Sequence, residues 1–411
     1  MSLALSTLHS RDRVNIVEPG RLHPAVSFAR ASTATYMGPA GTLLTAAANA
    51  PRYEYDGLGS YLGLLIEEAR TNISLRSAEI DNVAWNKSSV TVSANTATAP
   101  DGTTSMDLVV PSATAANHNV LQSVSKAASS ITYTCSVYAK ASSVNFLGFR
   151  LDSGSINGVY AVFDLLNGLV ATAPTVSGSG FTVGTASITA VGGGIYRCVC
   201  SYTTDTLTIT RAVFVAQNAN GNPFTFSYTG NGTDGIYLWG AQFETGAFAT
   251  SYIPTTSAAV TRSADVATIT SANFFNIYSS VAGTFILLGD MAVGLITNAG
   301  LIDIYTDFNN KMSHRPATTF TNSAGVTTAA VNRTGIYGSS ARSAFSYASG
   351  SLIVAQNGAL AGSTGGAVVP SSPALGIGNR DNGAAYLTGH IKSLTYLRRQ
   401  LPGSELQRLT A

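Results

Sequence analysis

The stretch that decides the fold is Tyr237-Leu238-Trp239-Gly240-Ala241-Gln242-Phe243-Glu244. In a β-strand, successive side chains point to opposite faces of the sheet. The pattern therefore predicts a strand whose polar face carries Gln242 and Glu244 and whose apolar face carries Tyr237, Trp239, Ala241 and Phe243. We expect Trp239 to pack in a core, because a large ring among other rings usually supplies buried area.

Turn signals extend this β character over the rest of the chain. Asn-Gly pairs supply the positive φ angles that tight hairpins require, and they occur at residues 157–158, 167–168, 220–221, 231–232, 357–358 and 382–383. Helical periodicity is nearly absent until the C-terminus. There Ser404 and Gln407 have the spacing of a capping box, and Leu406 and Leu409 lie three apart, which predicts a short terminal helix. The predicted fold class is all-β.

Composition excludes several classes of protein. Charged residues make up 11% of the 411 residues, against about 25% in ordinary globular proteins. Hydrophobic residues make up 45% and the net charge is only +2, which excludes a disordered chain. The length favours two or three domains. The one basic cluster, Arg398-Arg399 with Lys392 and Arg408 nearby, is too small for an extended positive surface, so we expect no nucleic-acid binding.

The cysteines and the apolar segments indicate a chain made in the cytoplasm without a signal peptide. Cys198 and Cys200 lie two apart on one strand face, where a disulfide would be strained, so we expect free thiols. Cys135 is interpreted as a small buried apolar residue. The first twelve residues lack the apolar core of a secretion signal. The most apolar stretch, residues 285–288, is far shorter than the roughly 20 residues of a membrane span.

Several motifs, in their order along the chain, resemble bacteriophage, prophage or gene-transfer-agent-like head-spike and tail-fibre proteins. The N-terminal motifs are residues 28–36, 51–52 and 63–72. The motifs that resemble a carbohydrate-binding-type jelly roll are Trp85 and residues 99–104, 137–140, 163–165, 194–198 and 237–244. Residues 283–285, 355–358, 375–379 and 386–391 resemble a laminin-G or concanavalin-like lectin domain.

The resemblance implies two consecutive antiparallel β-sandwich domains, a jelly roll and a concanavalin-like domain, after a mostly irregular N-terminal segment. Residues 1–72 would attach the protein to the virion and form oligomers. Residues 73–256 would form the jelly roll and residues 257–411 the lectin-like domain. Composition shifts at residues 70–73 and at the linker 254–259 set these boundaries.

The function implied by the resemblance is a fibre or spike protein on the virion surface that binds host cell-surface glycans during attachment. Its partners would be capsid or tail proteins and host polysaccharide, and related fibres suggest a homotrimer. We expect no enzyme, since the five histidines are scattered and no catalytic motif occurs. The alternatives are a capsule or exopolysaccharide depolymerase, which needs a pair of carboxylates, and a purely structural spacer or capsid decoration protein.

The candidate glycan-binding residues form three groups. Trp85 has polar neighbours along the chain, so an exposed ring that stacks on sugar is one interpretation and core packing is the other. Gln242 and Glu244 offer oxygen atoms for sugar hydroxyls, or for a structural calcium, which is left open as the one cofactor. The other interpretation is a polar strand face that bonds a neighbouring strand or subunit. The loop of Asn379, Arg380, Asp381 and Asn382 could line a lectin-like rim or form a solvated turn. Glu67-Glu68 is predicted to pair with Arg70.

Overall fold

The structure is a computed structural model that describes residues 12–290, 300–332, 341–371, 373–379 and 386–411. Within these ranges antiparallel β-strands dominate and two short helices occur. The all-β prediction is confirmed.

The strands fall into three successive groups along the chain. The first group is β1 (Arg13–Glu18), β2 (Arg21–Leu22), β3 (Ser27–Ala29), β4 (Ala34–Met37), β5 (Leu43–Ala46), β6 (Tyr53–Tyr55), β7 (Tyr61–Ile66) and β8 (Arg70–Asn72). The second is β9 (Asn86–Ser88), β10 (Val90–Thr98), β11 (Thr104–Pro111), β12 (Ala115–Ala116), β13 (Asn119–Ser125), β14 (Thr132–Ala141), β15 (Phe146–Asp152), β16 (Gly158–Asp164), β17 (Leu169–Ser177), β18 (Thr182–Gly192), β19 (Ile195–Thr203), β20 (Ile209–Gln217), β21 (Tyr228–Thr229) and β22 (Ile236–Thr245). The third is β23 (Val260–Arg262), β24 (Val266–Ile269), helix α1 (Ser271–Phe274), β25 (Ala282–Gly289), β26 (Ile302–Asp307), β27 (Asn310–His314), β28 (Thr318–Ser323), β29 (Val326–Asn332), β30 (Ala341–Ala348), β31 (Ser351–Gln356), β32 (Ala359–Gly365), β33 (Ala374–Ile377), β34 (Gly389–Leu397) and helix α2 (Gly403–Thr410).

Twelve strands of the second group form the central sandwich of two six-stranded sheets, and β12 and β21 pair separately. The strand orders of the two sheets are β10-β11-β22-β14-β19-β18 and β17-β16-β15-β20-β13-β9. Buried rings, including Phe149, Phe163 and Phe243, fill the space between the sheets. The three cysteines are buried in the same core as free thiols, as predicted.

A bulge in β22 corrects the predicted faces of the deciding stretch. Gly240 has a φ of +62°, and the register between β14 and β22 shifts at this point. A bulge adds a residue to one strand, so the side chains beyond it change face. Trp239 therefore packs against Tyr138 and Tyr252 outside the central core, whereas Phe243 lies inside it. The predicted single apolar face is wrong, although the predicted burial of Trp239 is confirmed.

The terminal sandwich combines strands from both ends of the chain. One sheet has the order β2-β1-β34-β25-β30-β31-β32, with β7 pairing with β34 and β6 with β7; the other has the order β29-β28-β27-β26-β33-β24-β3. Five of these strands thus come from residues 13–66 and extend the sheets of residues 266–397. The three-part division stays a prediction, and the N-terminal strands share a core with the C-terminal ones.

The terminal helix α2 is present, but its start differs from the predicted one. Pro402 occupies the cap position and makes no side-chain cap hydrogen bond, and Ser404 lies within the helix. The capping-box prediction is therefore wrong. Leu406 and Leu409 are buried against β30 and β31 as their spacing predicts.

Five buried charged side chains, here called the arginine–carboxylate cluster, join the N-terminal strands to the linker: Arg30, Arg52, Glu67, Arg262 and Asp265. Arg30 and Arg52 donate to Asp265 over 3.0 and 2.5 Å. Arg52 also lies 2.8 Å from Glu67. Burial alone would raise the pKa of Glu67, but the Arg262 and Arg52 charges hold it at about 2.

The Glu67-Glu68 prediction is right for one residue only. Glu68 accepts a hydrogen bond of 2.6 Å from Arg70 Nε, as predicted. Glu67 belongs instead to the cluster, where its carboxylate also accepts hydrogen bonds from the backbone N–H and Oγ–H of Ser251. The cluster thereby contacts the segment that leaves the central sandwich.

Candidate functional site

Trp85 lies in the core of the central sandwich and is 1% exposed. Its Nε1–H donates to the carbonyl oxygen of Arg76 over 3.1 Å, and its ring lies 5.8 Å from that of Phe214. A ring in this position offers no face to a ligand, so the core interpretation fits the structure and the exposed platform does not.

Gln242 and Glu244 are also buried, and they contact each other. Gln242 Nε2 donates to Glu244 over 2.8 Å and to the carbonyl oxygen of Ser251 over 3.2 Å. The carboxylate of Glu244 accepts the backbone N–H and the hydroxyl of Thr250. Among the residues that the structure describes, no three His, Cys, Asp or Glu side chains form a group that could hold a metal ion. The two side chains therefore fix residues 250–251 from beneath.

Of the third predicted group, the structure describes only Asn379, which lies in the other sandwich. Asn379 is 2% exposed and forms an isolated bridge with Tyr386. Arg380, Asp381 and Asn382 lie outside the described residues. Trp85, the Gln242–Glu244 pair and Asn379 are thus in three separate places, and only Gln242 and Glu244 come together.

A cleft of about 530 Å³ opens where the two sandwiches meet. Its floor is the outer face of β18 and β19, which presents Thr185, Ser187, Thr189, Arg197 and Val199. Neighbouring strand residues such as Cys198 point into the core, so alternation places this set on the opposite face. The floor is therefore rich in hydroxyl groups around one guanidinium.

The walls of the cleft come from two other segments. One wall is the β6–β7 hairpin with Glu54, Tyr55 and Asp56, and the other is residues 248–252. Gly57 at the hairpin tip approaches β18 so closely that a Cβ atom would lie 2.6 Å from the carbonyl oxygen of Ala190. Glycine is the residue type that permits such close approach of two backbones.

The two carboxylates of the hairpin are held by different partners. Glu54 accepts the backbone N–H of Met37 over 3.0 Å and the Nε2–H of His390 over 2.8 Å. Burial opposes the charge of His390, but hydrogen bonds to Asp290 and Glu54 raise its pKa to about 10, so it is an imidazolium ion at neutral pH. Asp56 accepts the backbone N–H of Ser60, which lowers the pKa of Asp56.

Arg197 is the cation of the cleft floor. Its Nη2 donates to Ser136 Oγ over 3.1 Å and to the carbonyl oxygen of Thr250 over 2.7 Å, and its guanidinium lies 5.6 Å from the centre of the Tyr138 ring. Its Nε is buried without a hydrogen-bond partner. Glu244 accepts hydrogen bonds from the same Thr250. The predicted Gln242–Glu244 pair therefore positions a residue that binds Arg197, although the pair itself is buried.

Reasoning from the sequence missed the cleft, although one part of it could have been found. Hydroxyl and apolar residues alternate over residues 185–189. Cys198 and Cys200 share the inner face of their strand, so alternation already places Arg197 on the outer face. No spacing rule connects these strands to the β6–β7 hairpin, which lies some 130 residues earlier.

No family model matches the chain, and no curated protein matches it. Among solved structures, domain 4 of an extracellular arabinanase from Geobacillus stearothermophilus has 14% identity and a TM-score of 0.31 over 40% of this chain and 84% of that one. A sialyllactose-bound carbohydrate-binding module of a Ruminococcus gnavus sialidase has 16% identity and a TM-score of 0.26 over 32% and 83%. The enzymatically active domain of a tailspike protein of bacteriophage CBA120 has 11% identity and a TM-score of 0.26 over 42% of this chain and 21% of that one.

These neighbours contradict the prediction that the chain is not an enzyme. They include an arabinanase domain, sialidases of Trypanosoma rangeli and an enzymatically active tailspike domain. The exclusion of catalysis is therefore wrong. With every quoted TM-score at 0.31 or below, the similarity assigns no reaction and no substrate to this chain.

Among the described residues, no helix is both long and apolar enough to cross a membrane.

Proposed function

We propose that the cleft between the two sandwiches binds a carbohydrate chain. The observation that carries this proposal is the combination of groups in one cavity: partly exposed rings of Tyr55 and Phe248, the hydroxyls of the β18 floor and the charged groups of Arg197 and Asp56. Sugars present C–H faces that pack on aromatic rings and hydroxyls that need polar partners. A volume of about 530 Å³ lies within the usual range for ligand pockets.

The biological setting we propose is a bacteriophage fibre or spike. Its support is the order of the motifs in the sequence, which resembles that of phage head-spike and tail-fibre proteins. In that setting the protein is a homotrimer at the virion surface, mounted on a capsid or tail protein, and the carbohydrate is a host cell-surface polysaccharide. Light scattering on the full-length chain tests the trimer. A chain starting near Thr71 is unsuitable for that purpose, because it lacks five strands of the terminal sandwich.

A pair of bulky substitutions tests whether the cleft is the binding site. Ser187 is exposed on the cleft floor, and Ser93 is exposed on β10, at the other edge of the same sheet. We expect Ser187→Trp to weaken binding of host surface polysaccharide at least tenfold in a calorimetric titration, and Ser93→Trp to leave it unchanged. Equal binding by both variants would remove the cleft from the proposal. A wild-type protein that binds no host polysaccharide would leave a structural spacer role.

A second candidate function is cleavage of the bound chain, as in a capsule depolymerase. The observation that favours it is that two carboxyl groups, Glu54 and Asp56, line the same cleft. Glycosidic cleavage uses two carboxyl groups that flank the bond, one of them ionised, and the lowered pKa of Asp56 suits the ionised role. Asp56→Asn keeps an acceptor for the turn and should abolish release of oligosaccharides while binding persists. Chain shortening that continues in this variant would exclude Asp56, and no shortening by the wild type would exclude cleavage.

A further inference from the structure

Among the described residues, the guanidinium of Arg197 forms no salt bridge. No carboxylate oxygen of the described residues lies within salt-bridge distance of it, and its two protein hydrogen bonds both come from Nη2. Nε is buried without a partner, and Nη1 has no hydrogen bond among the described residues. By contrast, Arg211 on β20 has a comparable position on a strand and pairs with Asp152 over 2.5 Å.

The described carboxylates near the cleft make no direct ion pair with Arg197. Both oxygens of Glu54 have partners, Met37 and His390, and Asp56 lies in its own hairpin turn. Glu244 lies beneath the floor, where its oxygens contact Gln242 and Thr250. Burial raises the pKa of Glu244 and the nearby charge of Arg197 opposes this shift, but the two groups form no direct ion pair. The cleft floor therefore carries a cation without a direct carboxylate partner among the described residues, and one wall carries Asp56 beside a Glu54 carboxylate that is paired with the His390 imidazolium.

A partly buried guanidinium without a direct carboxylate partner lowers the stability of the protein, and a ligand that supplies a carboxylate would offset this cost. A charged group in a partly desolvated site interacts strongly with an opposite charge, and arginine suits carboxylates in particular because its planar donors match their oxygen atoms. The ring of Tyr138 beneath the guanidinium limits access of water from that side. A carboxylate on the ligand would complete the hydrogen bonding of Arg197.

We infer that the ligand of this cleft is an acidic glycan whose sugar carboxylate binds Arg197. The inference rests on the proposed carbohydrate binding and specifies the class of sugar. The charges on the wall set a limit as well: the carboxylate of Asp56, which has no cationic partner among the described residues, repels a second negative group on the ligand. The cleft thus favours a polymer in which one uronic-type acid alternates with neutral, hydroxyl-bearing sugars over a densely sulfated one.

The test compares polymers on the unaltered full-length protein. The probes are hyaluronan and polygalacturonate as carboxylated chains, heparin as a sulfated chain, dextran as a neutral chain, and the two carboxylated polymers after chemical reduction of their carboxyl groups to alcohols. We expect hyaluronan, in which one uronic acid alternates with a neutral sugar, to bind more tightly than polygalacturonate, which has an acid on every sugar. The reduced form of hyaluronan should bind about 10- to 100-fold more weakly, the range for loss of a hydrogen-bonded charge.

Variants then assign the effect to one residue. Arg197→Gln should reduce binding of the carboxylated probe to the level of the reduced polymer, Arg197→Lys should retain part of the preference, and the control Arg211→Gln should bind as the wild type does. Equal affinity for carboxylated and reduced chains, or preference for heparin or dextran, overturns the inference and leaves carbohydrate binding intact. Failure to bind any of the polymers overturns both.

Discussion

Replacing Asp265 with asparagine should cost more stability than almost any other isosteric change in the chain. The carboxylate of Asp265 is fully buried and accepts hydrogen bonds from Arg30 Nη1, from Arg52 Nη2 and from the backbone N–H of Glu67. Asp265→Asn keeps the shape but removes the charge, so three buried arginines face one remaining carboxylate. Removing one partner of a buried pair costs about 3–5 kcal/mol.

That cost corresponds to a drop of roughly 6–20 °C in Tm, taking about 2–4 °C per kcal/mol for domains of this size. Thermal and urea unfolding followed by circular dichroism would measure it. The matched control is Glu79→Gln, whose ion pair with Arg76 is 44% exposed on the carboxylate side and should change stability by at most about 1 kcal/mol. If Asp265→Asn unfolds with the same midpoint as Glu79→Gln, the cluster does not hold the sandwiches together in the way described.

Three further predictions concern other buried groups: His390, the three cysteines and Trp85. Because hydrogen bonds to Asp290 and Glu54 outweigh burial and raise the pKa of His390 to about 10, its contribution to stability is complete below the unfolded value of about 6.5 and is lost as the pH rises through 10; the stability difference between wild type and His390→Gln in urea titrations should shrink between about pH 6.5 and 10. Burial raises the pKa of all three thiols, so a thiol reagent should label none of them in the native protein and all three in urea, and rapid native labelling would contradict this. Trp85→Ala should cost about 3–5 kcal/mol through the cavity that it creates, with polysaccharide affinity unchanged at temperatures where the variant is folded; a selective loss of affinity would return Trp85 to the binding site.

Strand alternation and turn chemistry were sufficient to predict the fold class. The Asn-Gly pair at residues 357–358, for example, has positive φ at both positions and joins β31 to β32. The faces of β22 were not predictable from alternation alone, because the bulge at Gly240 reverses them. A glycine within an apolar strand is a recognised sign of a bulge. Gly240 therefore gave a signal, but the residues of this stretch also fit the regular alternation of a strand without a bulge.

Local sequence context misled the choice of site residues for a physical reason. The polar neighbours of Trp85 along the chain suggested exposure, yet its neighbours in space are core residues such as Phe214. The cleft was missed for a related reason. Its floor and its walls come from segments far apart in sequence, and no spacing rule relates them. Long-range pairing, such as that of β7 with β34, is what brings the hairpin to the floor.

Two residues of the N-terminal motifs, Arg52 and Glu67, lie at the joint between the two sandwiches. Arg52 precedes β6, Glu67 follows β7, and both belong to the cluster that contacts Ser251. The hairpin between Arg52 and Glu67 carries the cleft wall with Asp56, while Ser251 lies in the opposite wall. The cluster therefore sets the distance between the walls without contacting the ligand itself. A buried network of charges suits this task, because its hydrogen bonds permit few alternative arrangements, and so Arg52 and Glu67 help to determine the width of the candidate binding site.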